Sequence, residues 1–349
     1  MSPIAPPRAH GAPVGSARFK FRSEDFIVEE VLGFEPSGDG EHCCLWVEKI
    51  DRNSNDVATH IAGRLGVRRR LVSHCGLKDR HAVTRQWFSV HLPGQASPEA
   101  GDLEAEGLRV LSTTRNRRKL RRGTHIGNRF SIRLRECDFT AAQADSRWQK
   151  IITCGVPNYF GPQRFGRDGD NIRQAGRLFR GEGEVRDRAL RGILISAARS
   201  YLFNAVIGER VGRGDWDRVL DGEVFGFADN RSLVLPERLR GDEVQRVAAG
   251  SLELTAPLWG GIGDLQSRDT VRTLEEEVVA RYSDLAAGLE GLNLRQERRV
   301  IRLTPAKPQF AREEGDGITL QFELPKGTYA TTILRELCEL NESPPPAPG

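Results

Sequence analysis

The 349-residue chain lacks several features that would have assigned it quickly. No CxxC pair occurs among Cys43, Cys44, Cys75, Cys137, Cys154 and Cys338. That spacing excludes a small disulfide scaffold and points to reduced thiols. His42-Cys43-Cys44 and His74-Cys75 also have the wrong spacing for a standard zinc site, so no metal is expected. There is no GxxxxGK[ST] loop and no G-x-S-x-G elbow, which removes P-loop nucleotide hydrolysis and serine-hydrolase chemistry. No apolar run of about 18 residues is present, so no spanning helix is expected. The opening MSPIAPPRAHGAPVGS lacks the apolar core of a secretory signal. A cytoplasmic protein with flexible ends, over residues 1–16 and 343–349, is therefore expected.

Acidic residues are missing from one long interval, between Glu106 and Glu136. It carries the run Arg115, Arg117, Arg118, Lys119, Arg121 and Arg122. The formal net charge is only +4, so it is the distribution of charge that suggests contact with a phosphate backbone. A solvated loop is the plainer reading of the same run.

What is present reads as two kinds of material. Alternation at Phe130, Ile132 and Leu134, and again at Ile318, Leu320, Phe322 and Leu324, predicts strands with one buried face. Phe19–Phe21, Phe26–Val28 and Cys43–Val47 read as further extended segments. Val57, Ile61 and Leu65 predict a helix stopped by Gly66, and the turn at Pro325-Lys326-Gly327 leads into a helix over Ala330–Leu340. The middle differs, with long helical patterns over Ala189–Glu209 and Thr273–Leu292. The expected architecture is mixed α/β (α+β). One largely antiparallel mixed-sheet domain is formed by residues 1–152 and 305–349, and a second α/β module, residues 153–304, is inserted into it.

One stretch stands out chemically. In GLKDRHAVTRQWFSV, Asp79 lies between Lys78 and Arg80, on a loop between two apolar runs. A self-neutralising surface turn is the ordinary reading. However, charged loops between buried strands often carry function. Flanking cations favour the carboxylate form, which suits a nucleophile or general base better than a general acid. Phe26, in EDF, and Phe130, in GNRF, are core candidates by their strand positions, with base stacking as the sharper alternative. Asn128 can hydrogen-bond a base edge. VPNYFGPQRFG, residues 156–166, reads either as a structural junction or as the lining of a nucleotide pocket.

Taken together and in this order, GLKDRHAVTRQ, GNRF, VPNYFGPQRFG, SAARSYLFN and LPKGTYATTILREL resemble the signature segments of the tRNA pseudouridine synthase D family. The resemblance runs from about Phe19 to Leu340. It implies the pseudouridine synthase catalytic domain with a family-specific insertion, tRNA as partner, no membrane, no cofactor and a monomer. It implies isomerisation of uridine 13 of tRNA, with Asp79 as the catalytic residue. Phe26, Asn128, Phe130, Tyr329, Lys20 and Lys78 are implied at the substrate. Tyr329 stands where the family often has Phe, and Ser23 where it often has Pro. An RNA-binding protein without catalysis and a uridine glycosidase are the alternative readings.

Overall fold

A computed structural model describes residues 6–342 apart from 228, 229, 231 and 314. The expected ends at 1–5 and 343–349 lie outside the described residues. The chain divides into two compact units.

The sheet unit comprises Pro13–Ile152, Pro305–Ala330 and the residues from Leu337. Its strands are β1 (Ser16–Phe19), β2 (Phe26–Val31), β3 (His42–Ile50), β4 (Val72–His74), β5 (Val83–His91), β6 (Leu108–Asn116) and β7 (Gly127–Leu134). They are joined late in the chain by Ala306–Arg312, Ile318–Pro325 and Glu339–Glu342. The main sheet runs Ala306–Arg312, Ile318–Pro325, β7, β2, β5, β3, β6, with β4 paired to β5. All neighbours in it are antiparallel except β2 and β5. The fold is thus mixed α/β on a mixed, largely antiparallel sheet.

Register follows the apolar alternation. Phe130 faces Val28 on one side and Phe322 on the other, and Ile132 faces Phe26 and Leu320. Helix α1 (Ser54–Arg64) buries Val57 and Ile61 against Leu45, Phe88 and Val90, and its stop at Gly66 uses a φ of +63° that a side chain would strain.

Several expectations need correction. Residues 6–12 are not a loose arm. His10 donates its main-chain N–H to Glu336 Oε2 at 3.1 Å and its ring pairs with Gly155 O at 2.7 Å. The C-terminal helix stops at Leu337 rather than Leu340, because Glu339–Glu342 pairs in parallel with β1. The extended reading of Phe19–Phe21 ends at Phe19, because Lys20 turns into the left-handed region at φ +54°.

The second unit holds Thr153–Thr304, Thr331–Glu336 and the residues up to Ala12. Its long helix spans Arg188–Arg213, capped at its start by Asp187 and ended by Gly214 at φ +73°. Thr273–Leu292 is not one helix but two, Asp269–Ala280 and Ser283–Glu290. Between them Tyr282 leaves helical geometry and packs edge-on against Tyr201. Two positions of VPNYFGPQRFG are tied to their surroundings. Asn158 Nδ2 donates to Val300 O, and Asn204 bonds both main-chain groups of Phe160.

Candidate active site

Two short alternations set up the site. On β2, Phe26, Val28 and Glu30 point inward, and on β3 so do Cys43, Leu45, Val47 and Lys49. In each strand the last inward position is charged. Both charges are buried, and both serve the loop that carries Asp79.

That loop, Gly76–Asp79, is held from below at successive residues. Gly76 O accepts from Gln86 Nε2 at 3.1 Å and pairs with His74 Nδ1 at 2.8 Å. Lys78 N–H donates to Ser54 Oγ at 3.2 Å, and Ser54 in turn donates to Gln86 Oε1. Lys78 Nζ forms a buried ion pair with Glu30 Oε2 at 2.9 Å. Asp79 O accepts from Lys49 Nζ at 2.7 Å. With its backbone fixed, the Asp79 carboxylate stands half-exposed and meets Lys20 Nζ at 3.0 Å. The left-handed turn at Lys20 brings that ammonium to the loop.

The electrostatics follow from burial. Burial pushes the Lys49 ammonium down to about 8, while the nearby Asp79 charge works the other way. Burial lowers His125 and the Lys78 charge adds to it, so the imidazole is neutral at pH 7. Burial raises the Cys75 thiol to about 12, keeping it protonated.

Glu30, Cys75 and His125 bring potential ligand atoms within 4.8 Å of one another, the one such group among the described residues. The Lys78 ammonium already supplies the positive charge beside Glu30.

The predicted residues fare differently. Lys20, Phe26 and Asp79 come together, with Lys20 Nζ 4.4 Å from the centroid of the Phe26 ring. Phe26 and Phe130 are only 4% and 6% exposed and lie in a ring ladder continuing through Phe322 to Trp148. A base reaching Phe26 from the side of Lys20 must displace the ammonium. Lys78 turns away from the Asp79 carboxylate to Glu30. Asn128 stands across from Glu30, and its Oδ1 is buried with no donor among the described residues. Tyr329 is half-buried one residue before the helix Ala330–Leu337.

The basic run is only partly available. Arg115 spends its guanidinium on Leu92 O, Gln95 O and Ser97 Oγ. Arg117 makes a bidentate pair with Asp39, and Lys119 Nζ donates to Arg70 O. Arg118, Arg121 and Arg122 are exposed. The Lys119 contact sets Arg68 and Arg70, also exposed, beside the run.

Sequence reasoning missed Lys49 and Glu30. The signal was available: each is an inward position of an otherwise apolar alternation, Cys43-Leu45-Val47-Lys49 and Phe26-Val28-Glu30. A buried lone charge needs a partner, and both partners lie on one loop.

Known proteins resemble this chain over nearly its whole length. The family model described as tRNA pseudouridine synthase D (TruD) matches residues 10–182 and 183–337. A tRNA pseudouridine synthase D of Methylococcus capsulatus is 44% identical over 335 residues, covering 96% of this chain and 94% of that protein. One from Chromohalobacter salexigens is 41% identical over 343 residues, covering 97% and 98%. A solved structure from Methanosarcina mazei, assigned there to tRNA pseudouridine synthase D, superposes with a TM-score of 0.72. It covers 96% of this chain and 95% of that one at 20% identity, a likeness of fold. No helix among the described residues is long and apolar enough to cross a membrane.

Proposed function

The chain belongs to the tRNA pseudouridine synthase D family, isomerases that act on tRNA, and from that premise we propose that Asp79 is the nucleophile converting uridine 13 of tRNA to pseudouridine. The observation that carries this reading is the pinned loop. Four contacts to its backbone and one through Lys78 fix its position, yet the Asp79 carboxylate stays accessible beside Lys20. A carboxylate held in one place costs little to orient when the substrate arrives.

The reaction breaks the N1–C1′ bond of uridine, turns the detached uracil and rejoins it through C5. The C5 proton leaves and N1 takes one up, so nothing is oxidised, reduced or hydrolysed and no cofactor is called for. Attack of an Asp79 oxygen on C6 gives an adduct that tethers the base as it turns, whereas attack on C1′ forms a ribosyl ester as N1–C1′ breaks and leaves the uracil anion to be held by the pocket walls until C5 displaces the ester. The base must first leave its stack, at a cost of a few kcal/mol. We assign Asn128 to the base edge, because its orphaned carbonyl matches the N3–H of uracil. Phe26, Phe130 and Tyr329 follow the resemblance as aromatic walls, with Lys20 moving off Phe26 as the base enters. The sheet unit is the catalytic domain in this reading and residues 153–304 are the insertion. The protein acts as a single chain in the cytoplasm, where its tRNA is.

The test is product mapping. Purified protein and bulk unmodified tRNA should give pseudouridine at position 13. Asp79→Asn should bind tRNA as before and give none. Turnover by that variant would remove the nucleophile assignment, and free uracil as product would make the protein a glycosidase instead.

A further inference from the structure

Leu77 is the most exposed large apolar side chain among the described residues of the sheet unit, at 62%. Isolated aliphatics on a protein surface are ordinary. This one is not on an ordinary surface. It lies between two fixed residues. Gly76 is held by Gln86 and His74, and Lys78 by Ser54 and Glu30. The loop therefore cannot fold Leu77 down into the neighbouring core without breaking these contacts. The His125 ring lies against Gly76, where an added Cβ would meet it at 3.2 Å, so the loop is hemmed in on that side as well. Exposed Arg80 and Arg122 flank it, the latter near enough to add to the lowering of the His74 imidazole by burial and Arg69, against the raising effect of the Gly76 hydrogen bond.

We propose that Leu77 is a wedge that enters the base stack of the tRNA beside the target uridine and fills the space the extruded base leaves. The proposal rests on the reading of Asp79 as the reacting group. Two residues of chain span at most about 7 Å, which is about two base steps of about 3.4 Å. A base drawn to Asp79 therefore leaves its gap within reach of Leu77. Aliphatic side chains are suited to this task because they fill the gap without offering a hydrogen bond to a wrong base. Leu77 is a positioning residue here, since it acts on the neighbouring stack and not on the reacting atoms.

The experiment uses the full chain and an unmodified tRNA transcript carrying 2-aminopurine next to the target uridine. Wild-type protein should raise its fluorescence on binding as the stack opens. Leu77→Ala should bind with similar affinity and lose most of the rise, and Leu77→Met should restore it. Single-turnover product formation by Leu77→Ala should fall at least about tenfold, or about 1.4 kcal/mol. On a transcript whose nucleotides beside the target are abasic, so that the uridine is already unstacked, the fall should be less than about threefold. An equal fall on both RNAs, or an unchanged fluorescence rise, overturns the wedge. Turnover by Asp79→Asn would overturn the nucleophile assignment alone, because the fluorescence measurement does not depend on chemistry.

Discussion

Lys49 Nζ donates a 2.7 Å hydrogen bond to the main-chain oxygen of Asp79 from a fully buried strand position. The side chain crosses from β3 to the loop and holds it at the residue that matters. Burial lowers this ammonium from its usual 10.5 to about 8. The native state therefore binds fewer protons than the unfolded chain between pH 8 and 10.5. Below pH 8 the cost of keeping Lys49 charged in the fold is full and constant, about 3 kcal/mol at 1.36 kcal/mol per pH unit. It is relieved as pH rises through that window. Wild type should gain stability relative to Lys49→Met by roughly 2 kcal/mol between pH 7.5 and 9.5, read by urea unfolding at each pH. A difference that stays flat or shrinks over this range would mean that Lys49 titrates normally.

The Lys20–Asp79 pair should behave in the opposite way, important for rate and minor for stability. Both partners are partly exposed, and such pairs contribute about 0–1 kcal/mol to folding. Lys20→Gln should leave the midpoint of thermal unfolding within about 3 °C of wild type. Its single-turnover rate should fall by about 10- to 100-fold, because the carboxylate and the Phe26 face lose the cation that orders them. The two measurements together separate a role in the reaction from a role in the fold.

Lys78 and Glu30 form a pair of the other kind, with side chains almost entirely removed from water. Breaking such a pair leaves one charge uncompensated, at about 3–5 kcal/mol. Glu30→Gln and Lys78→Met should each cost about that much in urea unfolding, and the double variant clearly less than their sum. Strict additivity would mean that the two charges do not stabilise each other.

Much of the sheet was legible because one face is buried and the side chains alternate. Phe130-Ile132-Leu134 and Ile318-Leu320-Phe322-Leu324 read directly as neighbours' strands, and Asp79 stood out as a carboxylate on a charged loop. Charge was harder to read, because sequence distance hides the partner across the strand. The acid-free interval from Glu106 to Glu136 looked like an unbroken phosphate footprint. In the fold, Arg129 pairs with Glu29 and Glu323, Arg133 with Glu313, and Arg135 with Asp25. All of these acids are distant in sequence and adjacent in space. The same distance hid the partners of Lys49 and Glu30, and the break at Tyr282 had no proline or glycine to announce it.

The basic run therefore divides into two groups that mutation should separate. Arg118, Arg121 and Arg122 are exposed, whereas Arg115 closes the 92–97 loop with three contacts and Arg117 is held by Asp39. A side chain that neutralises a phosphate releases a counterion, and each one lost lowers the slope of log affinity against log salt by about 0.7–0.9. Alanine at Arg118, Arg121 and Arg122 together should weaken tRNA binding and flatten that slope by about 2. Arg115→Ala should leave the slope unchanged and lower stability by about 1–3 kcal/mol through the unmet carbonyls of Leu92 and Gln95. Filter binding across a salt series, with urea unfolding of the same variants, decides between the groups. An unchanged slope in the triple variant would place the RNA on another face of the sheet unit.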